Sequence, residues 1–218
     1  MPPTVFYPTE PSLPLRLAEA LFSKFSHDLA SPASATQNGL ELLNDGESPD
    51  MANEAIALIQ QSSTAVINRL KYYRICYGNL NAAASLNIEQ LKNHIVQFYK
   101  NDSHVKFEFK TINESISAEI KKLLLNLVIC ARDSLSHGGT ITITAAPAHL
   151  DITAVASNAA KPPKQGCLHI LNAESFLPPD LSAHNVQAHY TGFLAAHIGI
   201  TLREQRSNET TLHFIAEQ

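Results

Sequence analysis

Between residues 13 and 45, Leu15, Ala18, Phe22, Phe25, Leu29, Pro32, Thr36, Gly39 and Leu43 alternate in steps of three and four. That spacing is the seam of a packed helix. The pattern predicts a helix that starts after Ser12, has Pro14 in its opening turn, and stops at Asn44-Asp45-Gly46. Pro32 lies inside it and removes one backbone hydrogen bond, so a kink is expected there. Ser48-Pro49 restarts a helix, with serine as N-cap and proline at the first helical position. The second helix has its own seam at Ile56, Ile59, Ser63, Val66, Leu70, Tyr73 and Tyr77, widened by Ala55, Leu58 and Ile67. Two antiparallel helices joined by a short turn form a hairpin, and a lone hairpin cannot cover both stripes. A second copy would complete a four-helix bundle; the alternative is that the rest of the chain covers them.

The pattern changes across Gly78–Asn87, which divides the chain into a first unit, 1–79, and a second, 80–218. Helices are predicted over Ile88–Lys100, Ile116–Leu135 and Asn185–His197. Strands are predicted over His104–Lys110, Thr140–Ala146 (after Gly138-Gly139) and Leu150–Ala156, with a closing hairpin of Thr201–Gln205 and Thr210–Ile215. Residues 157–184 contain four prolines and read as irregular. The expected fold is α+β, a helical hairpin followed by a two-layer α/β sandwich.

Composition narrows the function. Hydrophobic residues make up 44%, enough for a core, and the net charge is −4 with 16 Lys and Arg against 20 Asp and Glu. With no basic run, nucleic acid is not the expected partner. No stretch is long and apolar enough to span a bilayer, and the N-terminus lacks a signal-peptide layout. Cys76, Cys130 and Cys167 are odd in number and widely spaced, which suits free thiols in a reducing, cytoplasmic setting. Nine further histidines, among them His94, His184, His189 and His213, show no metal-ligand spacing and read as surface or cap residues. No Ser-His-Asp arrangement is legible along the chain.

One histidine stands out by position. His27 falls two residues after Phe25 and two before Leu29, so it points away from the seam. Its helical neighbours, Ser23, Lys24, Ala30, Ser31 and Ser34, are small or polar. Another protein could reach such a histidine, although an ordinary solvated histidine satisfies the same pattern. The adjacent acid, Asp28, either orients the imidazole or is simply solvated.

The run His27-Asp28-Leu29-Ala30-Ser31-Pro32, followed by Asn38-Gly39-Leu40-Glu41-Leu42-Leu43, resembles the dimerisation and phosphotransfer hairpin of two-component signalling. More closely, the chain resembles the ChpT-type histidine phosphotransferases of alphaproteobacteria. Arg69–Arg74, Lys122–Leu127 continuing to His137-Gly138-Gly139, and Asn185–Tyr190 match the same family in the same order. The resemblance implies a homodimer whose hairpins form a four-helix bundle. It implies that His27 carries a phosphoryl group between aspartates of response-regulator receiver domains, one of them on a hybrid kinase. Asp28 would assist, Lys24 would steer the receiver, and Ser31, Ser34, Gln37 and Asn38 would form its landing surface. No cofactor of its own is expected, the receiver bringing Mg²⁺.

The resemblance also implies a second unit shaped like a histidine-kinase ATP-binding domain. Its nucleotide signatures are missing from their expected places. Cys130 stands where an asparagine would hold Mg²⁺, a hard cation that prefers oxygen. Ser157-Asn158-Ala159-Ala160-Lys161 replaces an Asp-x-Gly loop, and Leu181–Asn185 has no glycine to cradle phosphates. Phosphotransfer without ATP is therefore expected. An ATP-using kinase with divergent loops and a non-catalytic scaffold that binds receivers are the alternatives.

Overall fold

A computed structural model describes residues 13–45, 48–164 and 181–217. Cys167, most of the proline-containing stretch 157–184 and the Gly46 turn fall outside the described residues. The two long helices form as expected: α1 spans Leu13–Asp45 and α2 spans Pro49–Tyr77. Ser48 caps α2 by accepting the Met51 backbone N–H, with Pro49 opening the helix.

Within the hairpin the predicted α1 seam separates into two rows. Phe25, Pro32 and Gly39, spaced by seven, turn towards α2; Pro32 and Gly39 are buried. Gly39 is needed for this approach, because a Cβ there would lie 2.7 Å from Ile59 Cγ1 and 3.2 Å from the Ala55 carbonyl oxygen. Thr36 fills the one polar seam position, its hydroxyl within hydrogen-bond reach of the Pro32 carbonyl at 3.0 Å and of Ser62 Oγ at 2.9 Å. The other row turns outward: Leu15, Phe22 and Leu43 are exposed, as are Ile56 and Leu70 on α2.

A short helix absent from the sequence reading, α3 (Leu80–Ala84), follows directly on α2. Then come α4 (Ile88–Phe98), β1 (Val105–Ile112), α5 (Ala118–Ser134), β2 (Gly139–Ala146), β3 (His149–Ala156), α6 (Val186–His197), β4 (Thr201–Asn208) and β5 (Thr211–Glu217). The strands form one mixed sheet in the order β1-β2-β3-β5-β4. β1 and β2 are parallel and every other neighbouring pair is antiparallel. Gly139 has φ 154°, and a Cβ on it would lie 2.1 Å from the Val155 carbonyl oxygen, so only glycine lets β2 start so close to β3.

The sheet buries one face. Ile141, Ile143, Leu150, Ile152, Leu212 and Phe214 alternate with accessible residues and pack in a single core with α5. α5 is buried on every side from Ile120 to Ala131, because the end of α2, α3 and α6 surround the part that the sheet does not. Its two lysines escape by their tips, Lys121 Nζ to the Leu86 carbonyl and Lys122 Nζ to the Gly78 carbonyl. His189 corrects one expectation: it is buried in α6, not on the surface. No helix among the described residues is long and apolar enough to cross a membrane.

A buried polar cluster joins the hairpin to the sheet layer. Tyr72 OH donates to the Leu125 carbonyl, and Asn126 Nδ2 donates to the Cys76 and Lys122 carbonyls. Gln187 Nε2 donates to Asn126 Oδ1, and Tyr77 OH donates to Gln187 Oε1. Asn126 is wholly buried, so its removal strips partners from groups that water cannot reach. Asn126→Leu should lower the unfolding free energy by about 2–3 kcal/mol. Urea denaturation checks this, and a variant as stable as the parent would contradict the assignment of the cluster as the joint.

Candidate functional site

His27 lies on α1 with 81% of its side chain exposed. Its Nδ1 sits 3.3 Å from Asp28 Oδ1. Among the described residues this is its hydrogen bond, so Nε2 faces solvent. Adjacent residues on a helix diverge by roughly 100°, which is why the neighbouring acid is not at the surface with the histidine. Asp28 is turned towards α2, and its side chain is only 23% exposed.

Two groups hold the far oxygen of that carboxylate. Tyr73 of α2 donates its hydroxyl to Asp28 Oδ2, and Lys24, one turn earlier on α1, places Nζ 3.2 Å from the same oxygen. Oδ1 is left to the imidazole. Burial by itself pushes the Asp28 carboxyl up. The Tyr73 hydroxyl, the Lys24 ammonium and His27 outweigh it and hold the group below the usual carboxylate range. Asp28 is thus charged at neutral pH, and its contribution to stability is lost only as the pH falls through that lowered value. Burial, then the bond to Asp28, pushes the Tyr73 hydroxyl far above its ordinary range, so it serves as a donor throughout. Its ring is fixed by stacking on Phe25 at 4.9 Å and by an edge contact with Phe98 at 5.4 Å.

The backbone of Asp28 is held as well. In a regular helix its carbonyl would accept the N–H of residue 32, but proline has none. Arg69 of α2 supplies the donor instead, its Nη1 bonding the Asp28 carbonyl oxygen. Helix α1 runs through Pro32 without interruption. Asp28 is therefore tied to α2 twice, by side chain and by main chain.

The other sequence-proposed residues divide into two sets. Ser31, Ser34, Gln37 and Asn38 are exposed on α1, and Gln37 Nε2 bonds Glu41 Oε1 at 3.0 Å. Lys24 is different: only 14% of its side chain is exposed, and it is spent on Asp28. Its ammonium is not an outward-pointing steering charge. Lys24 and Asp28 also border a cleft of about 870 Å³ between the hairpin, the 99–102 loop and the end of α5, reaching Asn68, Asn101 and Arg132.

Tyr73 and Arg69 were missed as site residues. Tyr73 fits the apolar seam, which hides its hydroxyl. A proline whose i−4 carbonyl belongs to the residue after the histidine was the available signal. The fold also gathers Ser207, His213 and Asp151 on the open sheet face, with Ser207 Oγ 3.2 Å from His213 Nε2 and Asp151 Oδ1 3.1 Å from His213 Nδ1. That triad joins two strands and a bulge and has no linear signature.

Cys130 lies in the core of α5, its Sγ 3.6 Å from Thr191 Oγ1. Neither it nor the engaged Asn126 offers an open oxygen ligand. Among the described residues no group of three or more His, Cys, Asp or Glu side chains is placed to hold a metal ion.

Comparison with known proteins agrees with this architecture. The chain is 28% identical over 195 residues to the protein phosphotransferase ChpT of Brucella abortus (strain 2308), covering 86% of this chain and 89% of that protein. It superposes on a solved structure of a bacterial phosphotransferase with a TM-score of 0.75 and 26% identity, covering 96% of this chain and 99% of the other. Residues 88–210 match the family described as the histidine phosphotransferase C-terminal domain. The chain, with that domain and its helical hairpin, belongs to the histidine phosphotransferase family.

Proposed function

We propose that His27 Nε2 accepts a phosphoryl group from a phospho-aspartate of one receiver domain and returns it to the aspartate of another. The observation that carries this reading is the pairing of an 81% exposed imidazole with a carboxylate fixed at its Nδ1. With the proton on Nδ1, the Nε2 lone pair attacks phosphorus. A nitrogen–phosphorus bond forms, and the phosphorus–oxygen bond to the aspartate breaks, its electron pair leaving with the carboxylate. The ring becomes positive as it does so, and the charge of Asp28 faces that ring at 3.3 Å. The reverse sequence delivers the phosphoryl group to the next aspartate. Such a transfer needs in-line positioning and charge neutralisation more than covalent machinery. The exposed Ser31, Ser34, Gln37 and Asn38 give a receiver room to approach, and the receiver supplies Mg²⁺. The buried thiols of Cys76 and Cys130 fit a reducing, cytoplasmic setting.

His27→Ala alters a surface position and should leave stability within about 0.5 kcal/mol of the parent. It should abolish acid-labile phosphate after mixing with phosphorylated receivers. Wild-type labelling of that variant would overturn the assignment.

The reading includes a homodimer. Leu15, Phe22, Leu43, Ile56 and Leu70 form exposed apolar rows along both hairpin helices. Phe22 is 72% exposed, an unusual position for a phenylalanine in a soluble chain. A second hairpin would cover these rows and complete the four-helix bundle. Phe22→Glu combined with Leu70→Glu leaves the protomer core untouched and should convert the dimer to a folded monomer. Light scattering at micromolar concentration checks it; a monomeric parent protein would contradict the proposal.

Transfer is proposed to proceed without ATP. The donor chemistry supports this: a buried thiol at Cys130 and an asparagine engaged by Cys76 and Gln187 do not fit a nucleotide-bound Mg²⁺. Titration calorimetry with Mg-ATP should give no measurable heat of binding. A micromolar dissociation constant, or label passing from ATP to His27, would establish a kinase instead.

A further inference from the structure

We infer that Tyr73 is a positioning residue for phosphotransfer, acting through Asp28 to fix the tautomer of His27. The inference rests on the reading of His27 as the phosphate carrier. A residue next to the histidine on a helix points about 100° away from it, so Asp28 reaches the imidazole only from one rotamer. A free aspartate would sample several rotamers and spend part of its time in solvent.

Three contacts remove that freedom. The Tyr73 hydroxyl and the Lys24 ammonium both take Oδ2, which leaves Oδ1 aimed at His27 Nδ1. Arg69 holds the carbonyl that Pro32 leaves without a helical donor, so the backbone from which the carboxylate projects is tied to the same helix as Tyr73. Tyr73 in turn cannot drift, because Phe25 and Phe98 pack on its ring. The order of support runs from the aromatic cluster to Tyr73, to Asp28 and to Nδ1–H. The outcome is an Nε2 lone pair held outward on an otherwise mobile surface side chain. Lys24 holds Oδ2 from α1, beside the histidine, and the Tyr73 hydroxyl holds the same oxygen from α2, across the hairpin.

Groups facing Asp28 are Lys24 and His27 from α1 and Tyr73 and Arg69 from α2, and Asp133 of α5 shares its cleft. Loss of one directed donor among them should cost roughly ten-fold in transfer rate, the equivalent of a single hydrogen bond to a charged group. It should not alter receiver affinity, because Tyr73 lies beneath the docking face.

The test compares Tyr73→Phe, Asp28→Asn and the double variant, with Tyr72→Phe as the control. Tyr72 OH donates to the Leu125 carbonyl in the core, and Tyr72→Phe removes that hydroxyl while keeping the ring that stacks on Phe98. Two readouts are taken: the ¹⁵N spectrum of His27 in the protein alone, and the rate and KM for phosphate transfer from a phosphorylated receiver. The parent should show Nδ1–H as the dominant tautomer. Tyr73→Phe should mix the tautomers and transfer about ten-fold more slowly with unchanged KM. Asp28→Asn should lose at least as much, and the double variant no more than Asp28→Asn alone, since the tyrosine acts only through the carboxylate. Tyr72→Phe should lower stability and leave tautomer and rate intact. An unchanged tautomer ratio and rate in Tyr73→Phe would overturn the inference, and so would additive losses in the double variant. A parent protein that accepts no phosphate from any receiver would instead refute the carrier reading, and the tautomer comparison would still decide the role of Tyr73.

Discussion

The site depends on one constraint: a carboxylate next to a surface histidine must be held off the solvent and aimed back at the ring. Helical geometry alone sends Asp28 towards α2, where burial pushes its pKa up. The Tyr73 hydroxyl and the Lys24 ammonium reverse that tendency. Arg69 satisfies the carbonyl that Pro32 orphans. An interior proline usually costs a helix about 3 kcal/mol, much of it through that lost bond and the clash beside it. Here the lost bond is replaced by one to the neighbouring helix, and the replacement ties α1 to α2 at the residue beside the histidine.

The hairpin in turn depends on the sheet layer. The last turns of α2 do not end in solvent: Tyr72, Ile75 and Cys76 sit in the same core as α5 and the buried sheet face. Tyr72, Tyr77, Lys122, Asn126 and Tyr190 bridge the two parts through backbone carbonyls or Gln187. A rigid base under α2 carries Tyr73, and Tyr73 carries Asp28. The sheet layer therefore has a physical role as a support for the hairpin helix that carries the site.

Much of this was legible along the chain. The heptad rows placed α1 and α2 almost to the residue, because helix seams and the Ser48-Pro49 start are local signals. All five strands were legible from alternation, since the sheet buries one face only. His27 could be singled out from its motif and its place off the seam, with Asp28 named only as the acid beside it. Tyr73 could not, because an aromatic seam residue looks the same whether or not its hydroxyl has a partner 45 positions away. Lys24 was read as outward because residues near the open face usually are; its pairing with Asp28 at i+4 was a pattern visible on the helix. α3 escaped notice because five residues of Leu-Asn-Ala-Ala-Ala carry no periodicity.

The proposed phosphate site is a single atom, His27 Nε2, and it can be measured directly. The protein, uniformly ¹⁵N-labelled, is phosphorylated by a phospho-receiver, and the ³¹P–¹⁵N couplings and the modified peptide are determined. The expected result is a single phosphohistidine at residue 27 with phosphorus coupled to Nε2 and a proton retained on Nδ1. Phosphorus on Nδ1, or phosphate on any other residue, would contradict it.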